Sequence, residues 1–128
     1  MSESVTKSRF IDLEIWKKAR ELRLEIRTII KVFPIDEKYR LIDQMVRCSR
    51  SVTNNIAEGY GRYHYQENIQ FCRQARGSLF ELIDHLIISS DENYINKETF
   101  NNLQNKVYIT IKILNGYISY LKNQKELT

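Results

Sequence analysis

One proline in 128 residues, Pro34, and only four glycines leave most of the chain without the residues that interrupt helices. Together with abundant Leu and Ile and charges of both signs, this excludes a disordered or secreted polymer and points to one helix-rich globular domain spanning residues 1–128. Cysteine is equally sparse: Cys48 and Cys72 make neither a metal spacing nor a disulfide framework and read as small buried residues of a cytoplasmic protein. No apolar run approaches the length of a membrane span. The start, Met1-Ser2-Glu3-Ser4, is polar rather than a charged leader before an apolar stretch, so neither membrane insertion nor export is expected.

Histidine is as scarce. Neither His64 nor His85 belongs to a metal-ligand motif such as a helical Glu-x-x-His, so no metal and no cofactor is expected. Glu81 and His85 stand four apart, an ordinary pair on a helix surface, and no other residues converge into a catalytic set; the expectation is a protein that is not an enzyme. The excess of 20 basic over 16 acidic residues, a net charge of +4, permits nucleic-acid binding without requiring it.

What is present in quantity is helical periodicity. Ile15, Ala19, Leu22, Ile26, Ile29 and Phe33 recur at alternating intervals of four and three, one face of a helix over about 11–33 that Pro34 ends. A second helix is predicted over 37–58, capped by Asp36, with Ile42, Met45, Ser49, Val52 and Ile56 inward and Gly59 as a left-handed stop. Cys72, Ala75, Leu79, Leu82 and Leu86 mark a third over 65–89. Asn96 can cap a fourth over 97–122 that carries Phe100, Leu103, Val107, Ile111, Leu114, Ile118 and Leu121. Short connections between four such helices predict an all-α, antiparallel up-down-up-down four-helix bundle.

Surplus apolar surface predicts self-association. Ile109, Ile113, Gly116 and Tyr120 fall on one line opposite the core stripe of the fourth helix, with Tyr117 beside them. Gly77 lies away from the core face of the third helix, where an internal glycine costs about 1 kcal/mol relative to alanine and is read as a point of close approach by another subunit. The first helix is electrically divided, with Arg20, Arg23, Arg27 and Lys31 on one flank and Glu14, Glu21 and Glu25 on another; Trp16, Leu13 and Leu24 lie near the basic flank. Such a helix suits a head-to-tail homo-oligomeric ring, although a solvated face of paired charges accounts for the charges equally well.

The turn Tyr60-Gly61-Arg62-Tyr63-His64-Tyr65 interleaves aromatic and cationic groups, a combination able to stack on unpaired bases while touching phosphate. Tyr60, Arg62, Tyr63 and Tyr65 are therefore candidate nucleic-acid contacts, with the Arg20, Arg23, Arg27 and Lys31 stripe able to track a backbone. Polar residues at the edge of the core, Gln44, Ser51 and Asn55 on the second helix and Ser78 and Glu81 on the third, are expected to bond across the helix boundary. An Arg47 to Glu81 pair is predicted there.

The residues Ser51-Val52, Asn55 to Gly59, Gly61-Arg62, Phe71, Ala75, Gly77-Ser78 and Glu81-Leu82, with Phe33-Pro34 and Tyr39 upstream, resemble the four-helix-bundle family of 23S ribosomal RNA intervening-sequence proteins. The likeness runs from about Phe10 to Tyr120, and Asn55, Glu58, Gly59, Ser78 and Glu81 are its most specific part. It implies a compact bundle assembled into a ring, usually a pentamer, in the bacterial cytoplasm, with no assigned activity. Structurally similar bundles serve diversity-generating retroelements, where a basic pentamer partners a reverse transcriptase and binds nucleic acid. Two functions follow as expectations: a non-enzymatic scaffold or interaction module, or a ring that binds RNA or DNA. Asn68, where the family more often has an aromatic residue, and His64, where Ser or Thr would cap, depart from the pattern at the start of the third helix.

Overall fold

Glu14–Ile29 form the first long helix, α1, entered through a 3-10 turn at Phe10–Asp12. In that turn Asp12 accepts a hydrogen bond from the Arg9 backbone N–H at 3.1 Å. Ile15, Ala19, Leu22 and Ile26 are buried as their period dictates. The next inward residue is Ile30 and not Ile29, which is only partly buried. Ile30 follows Ile26 by four residues and Phe33 follows Ile30 by three, both helical steps, and the chain tightens into a 3-10 turn at Ile30–Val32. Pro34 then holds Phe33 in an extended conformation, ψ 153°.

Residues 9–128 are described by this computed structural model; the polar start at Met1 to Ser4 lies outside them. The second helix, α2, is Leu41–Tyr60, four residues later than the cap at Asp36 predicts. Ile35–Glu37 instead form another 3-10 turn, Arg40 stands at the N-cap without a side-chain bond, and Glu37 reaches the first amide of the helix. One of its carboxylate oxygens accepts from the Leu41 backbone N–H at 3.4 Å, and the other accepts from the Tyr94 hydroxyl at 2.7 Å.

Gly59 is not the left-handed stop that the sequence suggests. No glycine among the described residues has a positive φ, and the helix runs on until the Gly61 N–H closes onto Ala57 and Glu58 carbonyls. Gly59 instead admits α3, Tyr65–Asp91, at close range: a Cβ there would stand 2.7 Å from Asn68 Oδ1 and 2.9 Å from the Phe71 Cβ. The fourth helix, α4, is Lys97–Leu127, capped by Asn96, whose side chain accepts from the Thr99 N–H at 2.8 Å. It outlasts the predicted end at 122 by a full turn.

One core joins the four helices, with α1 on α2, α2 on α3, α3 on α4 and α4 on α1. Along α2 and α3 the partners are Met45 with Ser89, Cys48 and Ser51 with Ser78, and Gly59 with Asn68. Along α3 and α4 they are Gln66 with Lys125, Asn68 with Tyr117 and Arg76 with Asn115. Lys106 and Glu25, 2.6 Å apart, tie α4 to α1, and Arg23 donates to Thr53 Oγ1 at 2.8 Å between α1 and α2. No helix among the described residues is long and apolar enough to cross a membrane.

Candidate binding cleft and outer helix faces

The aromatic turn between α2 and α3 does not stand alone. At the same end of the molecule α4 presents Tyr117 and Tyr120, their rings nearly parallel at 15° with centroids 6.3 Å apart. Together with Tyr60, Tyr63 and Tyr65 they line a cleft of about 690 Å³, to which Arg62, His64 and Lys125 add cationic or polar groups. Arg62 is held in position by a 2.8 Å ion pair with Glu58 and by its guanidinium lying 4.8 Å from the centre of the Phe71 ring. Tyr63 is exposed and meets His64 edge-on. Asn68 donates to the Tyr117 hydroxyl at 3.2 Å. Burial raises the Tyr117 phenol above its ordinary range. Tyr117 and Lys125 could not be placed at this site from the sequence because α4 reaches it only through tertiary packing, and Asn68 joins it from the first turn of α3.

The basic stripe of α1 lies elsewhere. Arg20, Arg27 and Lys31 are exposed, while Arg23 is half-buried on Thr53. Arg23, Arg27 and Lys31, joined by Arg50 of α2, rim a second groove of about 670 Å³ floored by Leu24, Ile42 and Val46. It shares no lining residue with the aromatic cleft. The eight candidate nucleic-acid residues therefore divide between two places and do not make one surface.

The proposed contact residues divide as well. On the outer face of α4, Ile109 is 46% exposed and Tyr120 54%. Ile113 leans partly onto the core, and with Gly116, Leu13 and Glu14 it borders a groove of about 310 Å³. A Cβ on Gly77 or Gly116 would meet nothing within 4 Å, so both backbones face open space. One turn from Gly77, Phe80 is also exposed on α3, a residue the sequence reading passed over. Leu24 belongs to the basic groove. Trp16 is not free surface: it is half-buried against its own core, its ring edge-on to Phe10 at 5.4 Å.

Two of the family-type residues, Gly59 and Ser78, join α2 to α3. Ser51 and Ser78 hydroxyls meet at 2.9 Å across α2 and α3, and the Cys48 thiol donates to the Ser78 carbonyl at 2.9 Å. Asn55 bonds within its own helix, to the Ser51 carbonyl and hydroxyl, and so steadies the serine that makes the crossing. The predicted Arg47 to Glu81 pair is absent. Arg47 pairs with Asp43 at 3.0 Å and Glu81 with His85 at 3.0 Å, because a partner one turn away on the same helix is reached without fixing a long side chain across a gap. Gln44 is exposed. Both thiols are held protonated: burial first, then the charge of Glu81, pushes Cys48 up to about 12, and burial pushes Cys72 to about 12.

Four helices knitted by small polar residues, with aromatic and apolar surface left on their outer faces, define an all-helical protein built on one core. The chain belongs to the 23S rRNA-intervening sequence protein family, whose profile matches residues 11–116. Its fold is similar to a crystal structure of a protein of unknown function from the S23 ribosomal protein family of Bacteroides thetaiotaomicron. The two align with a TM-score of 0.75 and 21% identity over 82% of this chain and 95% of that one. A comparison with curated proteins finds none that matches.

Proposed function

We propose that this protein is a non-enzymatic interaction module, an up-down-up-down antiparallel bundle that assembles head to tail with copies of itself into a ring. The reversed order of partners along α2 and α3, and again along α3 and α4, supports the antiparallel topology. The observation that carries self-association is the row Ile109, Gly116 and Tyr120, open to solvent on the side of α4 away from the core. Gly77 and Phe80 open a different face on α3, and two unlike faces on one subunit are what a heterologous, ring-closing contact needs. The family resemblance implies five subunits. Light scattering on a size column tests the reading, and a clean monomer at micromolar concentration would refute it.

A second reading has its own support in the aromatic cleft. Five tyrosines beside Arg62 and Lys125 offer stacking surfaces and phosphate partners for an unpaired RNA or DNA segment, in ribosomal RNA or beside a reverse transcriptase. Binding of single-stranded RNA, titrated against salt, tests it. Phosphate contacts strengthen as salt falls, so no binding at low ionic strength eliminates this reading.

A further inference from the structure

A helix supplies two ligands to one metal ion when they stand four residues apart, since that interval returns the side chains to one face. Glu81 and His85 hold this spacing on α3, and Cys48 meets them from α2. The sequence shows no such set because Cys48 lies more than thirty positions upstream. One ligand atom from each of the three lies within 4.8 Å of the other two. Zinc bond lengths of about 2.0–2.3 Å place neighbouring tetrahedral ligands roughly 3.5 Å apart, so a contraction of about 1 Å completes the set. Glu81, with 57% of its side chain exposed, has the freedom to move inward.

His85 is only 6% exposed. Its Nε2 is engaged by the Glu81 carboxylate at 3.0 Å, while its Nδ1 is buried with no hydrogen-bond partner among the described residues. Interiors rarely leave such an atom orphaned, because an unmet buried polar group costs about 1–3 kcal/mol. Among the described residues this ring is held by the Glu81 carboxylate alone, through Nε2, the nitrogen that faces the cluster.

We propose that Cys48, Glu81 and His85 form a zinc site that joins α2 to α3 and keeps one coordination position open beside Glu81. The donor set selects the ion: a thiolate with an imidazole suits zinc, whereas magnesium and calcium prefer oxygen alone. Charge also balances, since one thiolate and one carboxylate neutralise a divalent cation around a neutral imidazole. On binding, the Cys48 S–H bond breaks, its proton passes to solvent, and the sulfur lone pair forms the bond to zinc, with no change of oxidation state. The thiol gives up its hydrogen bond to the Ser78 carbonyl in exchange.

The test uses the full chain, reduced and stripped of metal, titrated with cobalt(II) and then zinc. Expected are a thiolate-to-cobalt charge-transfer absorption saturating at one equivalent, its displacement by zinc, and a zinc-dependent rise in melting temperature. Cys48→Ala should abolish the absorption. Glu81→Gln, at an exposed position that leaves the helical circular dichroism intact, should weaken zinc binding by about tenfold or more. If Cys48→Ala does not fold, Glu81→Gln decides. Absence of both the charge-transfer band and the melting shift in the wild-type protein at excess metal overturns the proposal, as does unchanged affinity in Glu81→Gln.

Discussion

Gly59 and Asn68 approach so closely that the α2–α3 contact has no room for a methyl group: a Cβ on Gly59 would lie 2.7 Å from Asn68 Oδ1 and 3.1 Å from its carbonyl oxygen. Alanine gains about 1 kcal/mol over glycine inside a helix, yet overpacking of a fitted contact costs about 1–3 kcal/mol. Gly59→Ala should therefore lower stability by up to about 2 kcal/mol. Gly77→Ala, with open space around it, should show the opposite sign in the isolated subunit, a gain of up to about 1 kcal/mol. Urea denaturation of the two variants checks the reversal.

The proposed oligomer seam is tested best at Ile109. Ile113 leans on the core, so a charge there would disturb the fold as well as an interface. Ile109→Glu, at a position 46% exposed, should leave helicity unchanged and shift the particle mass to that of one subunit. An unshifted mass removes Ile109 from any interface.

High pH should loosen the junction between Glu37 and Tyr94. The hydrogen bond that Tyr94 donates to Glu37 raises the phenol from an ordinary 10 to about 12. The folded chain thus holds this proton more tightly than the unfolded chain, so the contribution to stability is complete below pH 10 and disappears as pH rises through about 12. Tyr94→Phe should flatten that part of the alkaline stability curve, and wild-type steepness in the variant would show that other groups govern it. The cysteines, raised from 9 to about 12, add to the same loss across pH 9 to 12 in both proteins.

Thiol reactivity should follow burial. A reagent that attacks thiolates, applied at pH 8 to the folded, metal-free protein, should find neither Cys48 nor Cys72, and should label both in denaturant. Rapid labelling of either in the native state would place that thiol in an accessible or electropositive site.

Periodicity made much of this fold readable. Cys72, Ala75, Leu79, Leu82 and Leu86 are buried along their whole stripe because an α-helix repeats faithfully in that stretch. The choice of Ile30 over Ile29 escaped that reasoning, since three and four residues after Ile26 lie about equally far to either side of the core line and packing decides between them. The start of α2 escaped it too, because Glu37 reaches forward to the Leu41 amide and across to Tyr94, a choice governed by tertiary packing. The tyrosine-rich turn was visible as a short motif. Its α4 half, and the meeting of Cys48 with Glu81 and His85, depend on helix register, which no local pattern encodes.

Tyr120 ends the outer row of α4 and also walls the tyrosine cleft. Any two ligands that both touch this ring share one thermodynamic cycle. If an incoming subunit changes the affinity of the cleft for a nucleic-acid strand by some factor, the strand must change subunit affinity by the same factor. Assembly and cargo would then be one regulated equilibrium, adjustable through a single aromatic side chain.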